Sequence, residues 1–159
     1  PGVPKLLMND TGINSGYMIL QYTTAALASE NKGLCFPSSA DSIPTSLGQE
    51  DHVSMGSIGA RKALQVIGNV EKILAIELLT AAQAFEFRKP LKSGVFLDEV
   101  HNAVREQVAF AVKDRIFADD IEKGIEMIQN KTIIKVVDRV QKDSNISLKT
   151  KFSTEFEVY

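Results

Sequence analysis

A helical stretch too long for a globule of this chain's own size constrains the fold more than any other feature. From Asp51, whose side chain can cap the amides that follow, apolar residues recur at helical spacing through Leu64, Ile67, Val70, Leu74, Leu78 and Ala82 to about Phe87, and Pro90 prevents continuation. At 1.5 Å per residue its roughly 35 residues extend about 50 Å, whereas a compact domain of this length measures about 40 Å across. Between Ile73 and Ala82 apolar side chains cover nearly every side, the pattern of a helix surrounded by neighbours. Some of those neighbours are expected to belong to further sequence or to other subunits.

The remaining periodicity is also helical. A first helix is expected from Asn14 to about Lys32, with Asn14 or Ser15 as N-cap, and later ones over Phe96 to Phe110 and Asp119 to Asn130. Thr132 to Gln141 reads as a short helix, although Ile133, Ile134, Val136 and Val137 are β-branched and leave a strand open. Ser147 to Tyr159 is expected to be a loosely held tail. The expectation is therefore an all-α, long-helix bundle, with residues 1–159 forming a single helical segment. Gly56, Gly59 and Gly68 each cost up to about 1 kcal/mol against Ala inside a helix, which marks either close helix approach or a bend.

Charge excludes several function classes. A net charge of −2, with the basic residues dispersed, gives no field for nucleic acid or an anionic membrane. One cysteine and two histidines can build neither an internal disulfide nor a four-ligand zinc site, so no metal is expected and a reducing cytoplasm fits. No apolar run reaches the length of a membrane span, and the start at Pro1 without an initiator Met points to a piece of a longer chain.

The chemistry concentrates between two helices. Gly33 to Gly48 carries Pro37, Pro44 and four serines with little periodicity, and long irregular connections in compact proteins are often functional. It leads into Gln49-Glu50-Asp51-His52, an amide, two carboxylates and an imidazole beside a helix start. The plain reading is capping, with Asp51 as N-cap and Glu50 solvated next to it, since carboxylates are stabilised at a helix N-terminus. The functional reading needs a ligand approaching that end, where His52 can transfer protons near neutral pH. His101 reads as surface or structural, Glu77 as a structural ion-pair member if buried, and Phe85 and Phe87 as core. Gly56-Ser57-Ile58-Gly59-Ala60-Arg61-Lys62-Ala63 lacks the spacing and hydroxyl of a phosphate-binding loop, and the Gly-x-Ser-x-Gly elbow of serine hydrolases is absent.

Asn14-Ser15-Gly16, Ala28-Ser29-Glu30-Asn31-Lys32, the block from Ser42-Ile43-Pro44-Thr45-Ser46 through Gln49 to Gly56, and Arg88-Lys89-Pro90-Leu91-Lys92 together closely resemble the C-terminal part of histidine ammonia-lyases, within the aromatic amino-acid ammonia-lyases. The resemblance runs from about Gly12 to Lys92, the core helices and active-site loop, and weakens over 93–159. It implies long helices in a homotetramer with sites shared between subunits, and elimination of ammonia from L-histidine to give urocanate in histidine catabolism. The family's electrophile is a methylidene-imidazolone group (MIO) made from an internal Ala-Ser-Gly, a triplet absent here, so the resemblance implies that the group lies upstream and that this chain alone is inactive.

By position Glu50 corresponds to the family's active-site glutamate, which is proposed to contact the substrate imidazole or to move a proton. Relatives acting on phenylalanine or tyrosine look different there, carrying an amide. Gln49 and His52 stand as supporting residues. Two departures flank this block: Cys35-Phe36-Pro37 replaces an apolar residue and histidine before the proline, and Leu47-Gly48 replaces a small residue and asparagine before Gln49. A second expectation within the family is another MIO-dependent ammonia-lyase or aminomutase. A different class is a helical interaction module that kept the fold without the reaction.

Overall fold

Five helices carry the structure, a computed structural model that describes residues 2–146: α1 Met18–Leu34, α2 Gly56–Glu86, α3 Val95–Gln107, α4 Ala118–Gln129 and α5 Thr132–Ser144. The all-α expectation holds, with no strand among the described residues. The tail expectation for Ser147 to Tyr159 lies outside those residues. Among them, no helix is long and apolar enough to cross a membrane.

The organising element is α2, whose 31 residues extend about 46 Å. Its C-terminal half holds the core, where Ile76, Leu79 and Ala82 meet Tyr17 and Leu20 of α1 and its approach, Val104 of α3, Met127 of α4, and Val108, Ala111 and Phe117 from the connection between α3 and α4. Helices α1 and α4 pack along α2, and α3 is backed by α5. N-terminal to these core positions, α2 packs against the end of α1, where the Asn69 amide donates to Glu30 and Asn31. There Leu64, Ile67, Val70 and Leu74, spaced by three and four residues, form one exposed apolar stripe.

Several boundaries differ from expectation for identifiable reasons. Helix α1 begins at Met18 rather than Asn14, because the amides of Ser15 and Gly16 both donate to the Asp114 carboxylate at 2.8 Å, and the Asp114 amide donates back to Asn14 Oδ1 at 3.0 Å. Gly16 is required in this turn. Its φ is +55°, and a Cβ would sit 2.5 Å from the Leu6 carbonyl oxygen. Helix α2 begins at Gly56, not Asp51, so Asp51 caps nothing; the first helical amide is met by Ser54 Oγ at 3.3 Å. The β-branched run after Thr132 is helical, burying Val136 and Val140.

The glycine at a close helix approach is Gly124, where a Cβ would stand 3.0 Å from the Cβ of Ala75, whereas Gly68 faces open space. Glu77 is exposed and needs no ion-pair partner. His101 is buried, which excludes the surface alternative: its Nε2 lies 3.0 Å from Glu86 Oε1, and its ring stacks on Phe85.

Candidate active site

The chain between α1 and α2 is built around a loop with two closures. At its base, Ser42 Oγ accepts the Val53 N–H at 2.9 Å and donates to the Val53 carbonyl at 3.3 Å. Nearer the tip, Thr45 and Glu50 exchange both backbone hydrogen bonds, at 2.9 and 3.2 Å, the arrangement of a hydrogen-bonded antiparallel pair. These bonds consume the backbone groups around Asp51 that an earlier helix start would have used.

At the tip, beyond the Thr45–Glu50 closure, Ser46, Leu47 and Gly48 all have positive φ, at 52°, 59° and 86°. Such residues cost on the order of 1 kcal/mol each when they carry a Cβ, and strained backbone concentrates at functional sites. Glycine removes that cost only at Gly48. Leu47 at the tip is fully exposed, and Ile43 and Phe36 nearby are largely so, leaving an apolar surface beside the polar residues.

Under the base of the loop lies a cavity of about 730 Å³ with His52 among its walls. That volume falls in the range of small-molecule pockets. Its far wall is the first three turns of α2, from Gly56 to Ile67, and its rim includes Cys35 and Asp41. Lys62 reaches across from α2, donating to the Phe36 carbonyl and lying 5.8 Å from the centre of the Phe36 ring. His52 therefore shares a concavity with Cys35, Asp41 and Lys62.

Gln49 and Glu50 do not line this cavity; they are exposed on the loop above it. The three residues singled out in the sequence thus fall on one loop, with His52 turned to the cavity and the other two facing outward. What the sequence reading missed is the pair of closures. Ser42 and Val53 are eleven residues apart, and no local pattern announces a side chain that binds both backbone groups of so distant a residue.

The residues present do not fit the family's electrophile. Of the two triplets nearest to Ala-Ser-Gly, Asn14-Ser15-Gly16 is the turn held by Asp114, and Lys92-Ser93-Gly94 leads into α3 with the Ser93 amide donating to Asp98 at 3.1 Å. Both lack the alanine, and in both the serine amide is already bonded to an aspartate side chain.

Over residues 1–106, two thirds of its length, the chain matches the model of the family described as aromatic amino acid lyase. The chain belongs to the aromatic amino acid lyases. Among curated members, histidine ammonia-lyase of Natranaerobius thermophilus is 54% identical over 127 residues, covering 80% of this chain and 25% of that protein. The histidine ammonia-lyase of Bos taurus is 50% identical over 134 residues, covering 84% and 20%. Among solved structures, histidine ammonia-lyase from Trypanosoma cruzi superposes with a TM-score of 0.82 at 40% identity, over 94% of this chain and 32% of that one. Tyrosine aminomutase from Streptomyces globisporus gives 0.80 at 35%, over 86% and 26%. The chain spans about a quarter of the length of the curated lyases it matches.

Proposed function

We propose that this chain is the C-terminal part of a histidine ammonia-lyase, which eliminates ammonia from L-histidine to give urocanate, and that Glu50 is its point of contact with substrate. The observation that carries the reading is the identity of about 50% to curated histidine ammonia-lyases over four fifths of the chain; among solved structures the identity is 40% to a histidine ammonia-lyase and 34–35% to tyrosine aminomutases. Chemistry at Glu50 agrees. A carboxylate pairs with a polar, protonatable imidazole, whereas opposite a phenyl ring it would be buried without a partner.

The exposure of the loop and of the α2 stripe supports a composite site, in which Glu50 is covered by other parts of the protein. In this reading the complete enzyme is a cytoplasmic homotetramer, and its Ala-Ser-Gly stands elsewhere in the gene product. Gln49 and His52 support the site, His52 from the cavity wall. Within this chain Glu50 orients the imidazole or holds a proton beside it.

The test is turnover by the full gene product with L-histidine, L-phenylalanine and L-tyrosine. Urocanate is the expected product. Release of cinnamate or coumarate without urocanate would reassign the substrate, and release of none of the three would favour the interaction module. Glu50→Gln should lower histidine turnover by roughly 100-fold, the scale of a lost acid–base or charge contact. The fold should persist, because the Thr45–Glu50 pairing is made by backbone atoms.

A further inference from the structure

We infer that Ser42 is a positioning residue for Glu50: its hydroxyl clamps the base of the loop, so that the Glu50 carboxylate is presented at a fixed place above α2. This rests on the reading of Glu50 given above. The geometry is specific. Glu50 sits three residues before Val53, and Val53 three residues before Gly56, the first residue of α2. Ser42 engages the N–H and the C=O of Val53 with one oxygen, at 2.9 and 3.3 Å, and so takes the place of a second backbone pair below Thr45–Glu50.

Between the clamp and the tip, the loop's described hydrogen bonds are internal, made among Thr45, Ser46, Gly48, Gln49 and Glu50. The Thr45–Glu50 pair thus fixes the shape of the tip but not its direction. Direction is set at the base, where the half-buried Ser42 ties the start of the loop to the residues that lead into α2. A side chain acting on substrate must be held within a fraction of an ångström, and a shift of about 1 Å can cost on the order of 100-fold in rate.

Alanine at position 42 deletes the oxygen and both bonds, whereas threonine keeps it. In the full gene product Ser42→Ala should reduce histidine turnover per folded enzyme by about tenfold or more, with a melting temperature close to the parent's, and Ser42→Thr should recover most of the loss. Amide hydrogen exchange should rise over 43–53 in Ser42→Ala and stay low in Ser42→Thr and Glu50→Gln. In a Glu50→Gln background, Ser42→Ala should cost little further turnover, because the group it positions is gone.

A residue with a merely structural role would lower turnover equally in both backgrounds, and that result overturns the proposal. Turnover within twofold of the parent in Ser42→Ala, while Glu50→Gln is strongly impaired, overturns the clamp alone. Unimpaired Glu50→Gln overturns the assignment of Glu50, and with it any positioning role for Ser42, even if exchange shows that the clamp exists.

Discussion

The side-chain amide of Gln83 and the backbone of Ala111 exchange two hydrogen bonds: Nε2 donates to the Ala111 carbonyl at 2.9 Å, and the Ala111 N–H donates to Oε1 at 3.1 Å. Nε2 also donates to the Leu7 carbonyl at 3.1 Å. Gln83 is wholly buried, so one amide near the end of α2 ties down both the N-terminal segment and the connection from α3 to α4. All of its partners in these bonds are backbone groups.

Gln83→Leu, close in volume, should therefore destabilise the chain by at least ~2 kcal/mol, since each buried polar group left unpaired costs about 1–3 kcal/mol. Urea denaturation checks this. A loss below about 0.5 kcal/mol would mean that these segments find other partners.

Acid should weaken the junction of α2 and α3 in two steps. Burial pushes the His101 imidazole below its usual 6.5, and this outweighs the attraction of Glu86. Burial tends to raise the Glu86 carboxyl, but its hydrogen bond with Lys89 and the charges of Lys89, His101 and Arg105 win, holding it below 4.5. Both groups bind protons more readily in the unfolded chain, so stability falls as pH drops below about 6.5 and again below about 4.5. Denaturation midpoints between pH 8 and pH 3 should follow this course, and His101→Gln should remove the upper step. A midpoint that is flat from pH 7.5 to 5 would refute the first step.

Base should act through Tyr17. Its burial raises the phenol to about 12, from the usual 10.0. The folded state then holds a proton that the unfolded state has released, so the phenol's contribution to stability is complete below pH 10 and declines between 10 and 12. In an absorbance titration of the folded chain, Tyr17 should appear as a component ionising near pH 12, and Tyr17→Phe should remove that late component. Persistence of that component in Tyr17→Phe would exclude the assignment.

Where α2 crosses α4, a Cβ added at Gly124 would crowd Ala75, at 3.0 Å from its Cβ and 3.5 Å from its Cα. Gly124→Val should cost about 1–3 kcal/mol by overpacking, despite the better helix propensity of valine over glycine. Ala75→Gly should relieve part of that loss, so the double substitution costs less than the sum of the two. Strict additivity in thermal or urea unfolding would show that the two positions do not share the space.

Four of the five helices and their order follow from spacing, because an apolar stripe repeating every three or four residues has one way to face a core. That much was legible in Leu64 to Ala82, in Leu97 to Val104 and in Ile121 to Ile128. The outsized α2 was likewise visible, and with it the expectation of neighbours outside the chain. The candidate loop stood out through its prolines, its serines and the Gln49 to His52 run, since local backbone chemistry decides where a helix cannot continue.

Tertiary structure decided what local rules left equal. Asp51 and Ser54 are both competent to start a helix, and the choice fell to Ser42, which had already engaged Val53. Asn14 lost its capping place to Asp114, about a hundred residues away, and the β-branched run of α5 became helical where α3 and α4 offered it an apolar surface. The burial of His101 and the need for glycine at 124 likewise came from partners distant in sequence. A hydrogen bond or a close approach between remote residues leaves no period in the chain, and so it is written only in the folded molecule.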